Sequence, residues 1–132
     1  MLPAVALGGA IMKAVLHFLK VLADETRLKI ISMLSSRDMC VCEIMDGLGM
    51  SQPAVSHHLR LLRESGLVHD DKDGRWVFYS LTPKAFIQGL VCTNDLFDQI
   101  RSNLENRQAN RDYGTCLRME KEINTCLIVN KK

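Results

Sequence analysis

Residues 49–66, Gly-Met-Ser-Gln-Pro-Ala-Val-Ser-His-His-Leu-Arg-Leu-Leu-Arg-Glu-Ser-Gly, decide the fold. Ser51 reads as a helix cap, and Pro53 is tolerated because the first turn needs no backbone donor there. Gly66 marks the stop. Between these signals the residues part into two faces. Val55, Leu59 and Leu62 recur at helical spacing and point inward. Gln52, Ser56, Arg60 and Arg63 point outward with His57 beside them, and no carboxylate joins them before Glu64. Such a face suits the major groove, where Gln pairs with adenine, Arg with guanine, and basic side chains hold phosphates. Ser51 and the free backbone N–H groups at the helix start can take a phosphate as well.

Upstream, Val41, Ile44 and Leu48 mark a short helix ended by Gly47 and Gly49, so Gly49-Met50-Ser51 is the turn of a helix-turn-helix. Asp24 caps an earlier helix carrying Leu28, Ile31 and Leu34, which Ser35-Ser36-Arg37-Asp38 interrupts. Before it, Val15, Phe18, Leu19 and Leu22 form an apolar stripe opposite Lys13, His17 and Lys20. Downstream the period changes: Val77, Tyr79 and Leu81 alternate, and Asp73-Gly74 is a hairpin turn. Arg75 and Lys72 at this hairpin can reach the DNA backbone or minor groove, although Asp70, Asp71 and Asp73 crowd the same tip.

Thr82-Pro83 then opens a long helix. Phe86, Leu90, Thr93, Phe97, Ile100 and Leu104 step through it as a heptad seam, the pattern of a helix paired with another, which predicts a homodimer. Residues 107–115 read as a linker, and Cys116, Met119, Ile123 and Cys126 share one face of a last amphipathic stretch. The predicted fold is α+β and mostly helical: a winged helix-turn-helix of four helices, a β-hairpin and a fifth helix, plus a C-terminal helical tail. Residues 12–106 form the domain, 1–11 an apolar and disordered extension, and 107–132 the linker and tail.

Composition narrows the function. With 132 residues the chain suits one domain, and 17 basic against 15 acidic residues leave a net charge of only +2. Aromatic residues make up 5%, too few for the stacking platforms of single-strand binders. No apolar run approaches the roughly 20 residues a bilayer requires, so no membrane partner is expected. Residues 1–11 are uncharged and the first basic residue is Lys13, the reverse of an export signal, which predicts a cytoplasmic protein. No glycine-rich phosphate loop and no His/Asp set around a cysteine point to an enzyme or an organic cofactor.

The five cysteines, Cys40, Cys42, Cys92, Cys116 and Cys126, are odd in number and unevenly spread, unlike a disulfide framework. Cys40-Val41-Cys42 sits where the first helix of the helix-turn-helix begins. Thiolates are soft ligands suited to As(III), Sb(III), Cd(II), Pb(II) and Zn(II). In a regular helix, residues i and i+2 point about 200° apart, so these two sulfurs share one ion only where the backbone is extended or distorted.

Several motifs resemble, in order, the ArsR/SmtB repressors: Leu22-Ala23-Asp24-Glu25-Thr26-Arg27-Leu28, Cys40-Val41-Cys42-Glu43, Ser51-Gln52-Pro53-Ala54-Val55-Ser56-His57-His58-Leu59, Leu62-Arg63-Glu64-Ser65-Gly66-Leu67-Val68 and Gly74-Arg75-Trp76-Val77-Phe78-Tyr79. The likeness spans roughly residues 13–105. It implies a homodimeric winged-helix repressor that binds double-stranded operator DNA with an inverted repeat and leaves it when an inducer, often a metal or metalloid ion, binds. The positions matching Ser51, Gln52, Ser56, His57 and Arg60 approach DNA in that family, while His58 reads as a packing or hydrogen-bonding residue.

Cys40 and Cys42 match the family's thiolate sensors, for which arsenite or antimonite is the leading inducer. The arsenic-type pattern continues to a third cysteine where this chain has Met45, a neutral thioether. The third ligand must come from elsewhere. Cys116 is the first choice, reached through the 107–115 linker, with Cys126 or Cys92 open. A thiol-redox or persulfide sensor of the same fold is the alternative, because it needs only two reactive thiols.

Overall fold

The computed structural model describes residues 8–109. Helix α1 (Gly9–Leu22) starts inside the stretch expected to be an extension, and Val15 and Phe18 are its buried residues. Leu19, expected inward, is exposed. The chain then turns at Asp24, whose backbone is extended and whose carboxylate accepts the Arg27 N–H at 2.9 Å and so caps α2 (Glu25–Ser36). Arg27 also donates Nε–H to the Val21 carbonyl at 2.6 Å, closing the end of α1. Along α2, Ile30, Ile31 and Leu34 are buried while Leu28 is half-exposed. Five apolar residues crowd this helix, and tertiary packing selects which stripe faces in.

One element of the fold carries no local signal in the sequence. Strand β1 (Met39–Cys40) precedes α3 (Val41–Leu48), and the turn Gly49-Met50-Ser51 leads to α4 (Gln52–Glu64). Gly49 takes φ +64, the left-handed conformation that glycine adopts without a Cβ penalty. Gly47, expected to help end α3, lies within it. Hairpin strands β2 (Val68–Asp73) and β3 (Trp76–Leu81) follow, and α5 (Pro83–Ala109) begins at the expected Thr82-Pro83 and extends three residues into the expected linker.

The sheet order is β1-β3-β2, with both pairs antiparallel. Met39 opposes Tyr79 and Cys40 opposes Phe78. Asp73 pairs with Trp76, so the two-residue loop is Gly74-Arg75, one position later than the Asp73-Gly74 turn expected.

Two layers result. In the first, Ile30, Ile31, Leu34, Met39, Ile44, Val55, Leu59, Leu62 and Val68 form one core joining α2, α3, α4 and the sheet. Each such side chain contributes roughly 1.5–3 kcal/mol by leaving water. In the second, α1 lies on α5, with the rings of Phe18 and Phe86 edge to face at 5.6 Å. Gly89 makes this approach possible, because a Cβ there meets the Phe18 ring at 2.6 Å and 2.8 Å. The architecture is the mostly helical winged helix-turn-helix expected, with a third strand added.

Candidate nucleic-acid interface and thiol site

Helix α4 presents the two faces read from its sequence. Val55, Leu59 and Leu62 are buried, while Gln52, Ser56, His57, Arg60 and Arg63 are all exposed. Ser51 occupies the cap position but makes no side-chain capping bond, contrary to expectation, so its hydroxyl stays with the outward set. Arg60 Nη2 lies 3.2 Å from His57 Nδ1. A guanidinium has no acceptor, so Nδ1 must accept this bond, and the ring keeps its Nε2–H as a donor. Arg63 donates to Asp70 of β2 at 3.3 Å, which ties the end of the reading helix to the wing and partly occupies a group expected on DNA.

Strand alternation settles the crowding of charge on the wing. Val68, Asp70 and Lys72 share one face of β2, the face on which Val68 is buried and Asp70 meets α4. His69, Asp71 and Asp73 lie on the other. Lys72 is thus on the same side of the hairpin as the reading helix, and two of the three carboxylates are not. Arg75 is exposed in the loop.

His58, read as a packing residue, is half-buried, with Nδ1 3.7 Å from Asp24 Oδ2, too long for a hydrogen bond. The Asp24 carboxyl is held below the usual carboxylate range, first by the Arg27 backbone N–H and, further, by the Arg27 and His58 charges. This cluster joins α4 to the α1–α2 corner. Cap chemistry marks Asp24 from its residue type, but no local signal shows that His58 faces it.

The two thiols sit at a strand-to-helix junction. Cys40 ends β1 with φ −82 and ψ 165 and occupies the cap position of α3, while Cys42 lies in the first turn. The backbone is therefore extended at Cys40 and helical from Val41 onward, so the pair does not lie in one regular helix. Cys40 is 8% exposed and Cys42 is exposed. Arg37 spans this junction, with Nη1 2.6 Å from Glu43 Oε2.

Among the described residues no group of three His, Cys, Asp or Glu side chains could hold a metal ion. Met45 is half-buried and packs against the core. Cys92 lines a cavity of about 190 Å³ between α1 and α5 with His17, Phe18 and Gly89. Cys116 and Cys126 lie outside the described residues.

The seam on α5 divides. Thr93 and Leu96 are buried, and Phe86 packs against the core and Phe18, so part of the heptad face is used within the chain. Leu90, Phe97, Ile100 and Leu104 are exposed, as are Ile87 and Val91 of α5 and Ile11, Leu16 and Leu19 of α1. Contiguous exposed apolar residues on this scale mark an interaction surface. No helix of the described residues is long and apolar enough to cross a membrane.

Comparison with known proteins agrees with this architecture. A profile of the bacterial regulatory protein, arsR family, matches residues 24–70. The arsenical resistance operon repressor of Escherichia coli is 40% identical over 105 residues, covering 74% of this chain and 90% of that protein. An arsenic resistance transcriptional regulator of Pseudomonas putida, ArsR1, is 39% identical over 82 residues, 57% of this chain and 64% of its own length. Among solved structures, a possible transcriptional regulator for arsenical resistance aligns with TM-score 0.54 and 35% identity, covering 72% of this chain and 96% of that one.

Proposed function

Because the chain belongs to the ArsR family of bacterial transcription regulators and is not an enzyme, we propose that it is a homodimeric repressor of an inverted-repeat operator, released when arsenite or antimonite binds its thiolates. Other thiophilic ions such as Cd(II), Pb(II) and Zn(II) are weaker candidates on ligand chemistry alone. The observation that carries this reading is the placement of Cys40 and Cys42 where α3 begins, the helix whose other end leads through Gly49-Met50-Ser51 into α4. An inducer must interact differently with the DNA-bound and free states. Drawing both sulfurs to one ion changes the junction that sets α3, and α3 in turn supports α4.

DNA contact falls to Gln52, Ser56, His57 and Arg60 for bases, with Ser51, Arg63 and Arg75 for phosphates. The dimer forms through Leu90, Phe97, Ile100 and Leu104 of α5 with Leu16 and Leu19 of α1. Phe86 supports this surface from within its own chain. Two-fold pairing of α5 sets two α4 helices for two half-sites about one helical turn apart.

Arsenous acid is As(OH)3 at neutral pH. Each thiol that replaces a hydroxyl forms an S–As bond and releases one water, with arsenic remaining trivalent. Cys40 and Cys42 supply two bonds, and Cys116 is the proposed third, with Cys126 or Cys92 as substitutes. A second reading draws on the absence, among the described residues, of any group of three candidate ligands, since it needs only two reactive thiols. In it, an external oxidant takes two electrons and two protons from Cys40 or Cys42 and a distant cysteine to leave a disulfide, or does so with inserted persulfide sulfur to leave a polysulfide bridge.

The test uses an inverted-repeat duplex selected from a randomised pool. Wild type and Cys42→Ser should bind it equally, and arsenite should release only the wild type. Release of both proteins, or release by oxidant or persulfide but not arsenite, contradicts the metalloid reading.

A further inference from the structure

The two thiols are unequally placed, and the strand register says why. Residues directly opposed across an antiparallel pair share a face, and successive residues alternate. Met39 opposes Tyr79, and both belong to the core side of the sheet, Met39 within the buried cluster and Tyr79 packed against it. Cys40 opposes Phe78 and therefore lies on the outer side, outside that cluster. Yet Cys40 is 8% exposed. Opposed side chains on one face stand about 4.5–5.5 Å apart at Cβ, which makes the half-buried Phe78 the cross-strand neighbour of Cys40 on that face.

We infer that Phe78 is a lid over the Cys40 thiol, a positioning residue that orders inducer capture and carries its effect into the wing. This inference rests on the functional reading above. Exposed Cys42 reacts first: its S–H and one hydroxyl of As(OH)3 give an S–As bond and one water. The arsenic is then held at the mouth of the junction. Cys40 forms the second bond and releases the second water once the Phe78 ring has swung aside, and the bound arsenic keeps that ring from returning.

Phe78 is in the middle strand of the sheet, two residues from Trp76 and on the same face. Trp76 opens β3 at the wing tip, is 58% exposed and is the chain's one tryptophan. Displacement of the Phe78 side of β3 therefore shifts the hairpin that carries Lys72 and Arg75. A ligand that bonds Cys42 alone leaves the lid closed.

The lid is tested on the full chain in two ways. Without inducer, site-resolved alkylation should modify Cys42 at least about tenfold faster than Cys40, as a locally opened group requires. Phe78→Ala should bring Cys40 close to the Cys42 rate, and Phe78→Leu, which keeps an apolar cover, should restore most of the protection. With arsenite and no DNA, the wild-type Trp76 emission should change at the same concentration as the arsenic–thiolate absorption band appears, and Phe78→Ala should need less arsenite.

Equal alkylation rates in the wild type, or no effect of Phe78→Ala, overturn the lid. So does an arsenic–thiolate band with operator release and unchanged Trp76 emission, a result that leaves the metalloid repressor standing. Absence of the band with protected Cys40 overturns the metalloid reading and the capture order, and leaves Phe78 as a cover for a thiol that responds to another signal.

Discussion

Phe97→Ala tests the proposed pairing of α5 through a magnitude that follows from the structure. Phe97 is 51% exposed in the single chain. A phenylalanine offers about 200 Å² for burial, so about 100 Å² remains for a partner. At ~25 cal/mol per Å² this is roughly 2.5 kcal/mol, and about 2 kcal/mol after the retained methyl is discounted. Two-fold symmetry removes two rings for one substitution, so the dimer should lose about 4 kcal/mol, near 10³ in its dissociation constant. Sedimentation equilibrium measures that constant, with circular dichroism to confirm that helical content is kept. A constant within about tenfold of wild type refutes the assignment of this face.

Arg60→Ala should weaken operator binding by about 1–3 kcal/mol with relaxed specificity if the side chain reads a base, and equally on all sequences if it holds a phosphate; anisotropy on matched and mutated duplexes separates the two. Asp24→Ala should cost about 1 kcal/mol in urea unfolding, the usual value of a lost helix cap. The folded Asp24 value lies below 3.8, so its contribution is whole above 3.8 and disappears as pH falls through the lower folded value. Asp24→Asn, still a good cap, should keep most of the stability at pH 7 and flatten that acid limb. Gly89→Ala should cost about 1–3 kcal/mol, because the new methyl overlaps the buried Phe18 ring where α1 crosses α5; an unchanged melting temperature contradicts that packing.

What the sequence disclosed depended on whether a signal was local. The faces of α4 follow from helical spacing, so Val55, Leu59 and Leu62 fall inside and Gln52, Ser56 and Arg60 outside as read. Thr82-Pro83 marks the start of α5 by cap chemistry alone. Strand β1 is different. Two residues carry no alternation, and Met39 and Cys40 are strand only because Tyr79 and Phe78, far along the chain, lie opposite them. The same distance hid the contrast between a covered Cys40 and an open Cys42.

The seam on α5 shows a related limit. Heptad spacing finds apolar positions but not their partner, and Thr93 and Leu96 are buried while Phe97 and Leu104 are left outside. Leu28 and Leu19 fall on an inward stripe by spacing yet are exposed, because spacing alone cannot rank neighbouring apolar stripes. Ser51 fits the cap position by type, yet its hydroxyl makes no capping bond. His58 facing Asp24 likewise required the fold.

The central claim is that sulfur capture at the root of α3 ends the hold of α4 on DNA. Its most direct measurement titrates arsenite into the preformed protein–operator complex while anisotropy of the labelled duplex and arsenic–thiolate absorbance are followed in one cuvette. The account predicts that both change together, saturate at one arsenic per subunit and vanish in Cys40→Ser and Cys42→Ser. Full release by arsenite in either variant, or absorbance that saturates while the duplex stays bound, contradicts it.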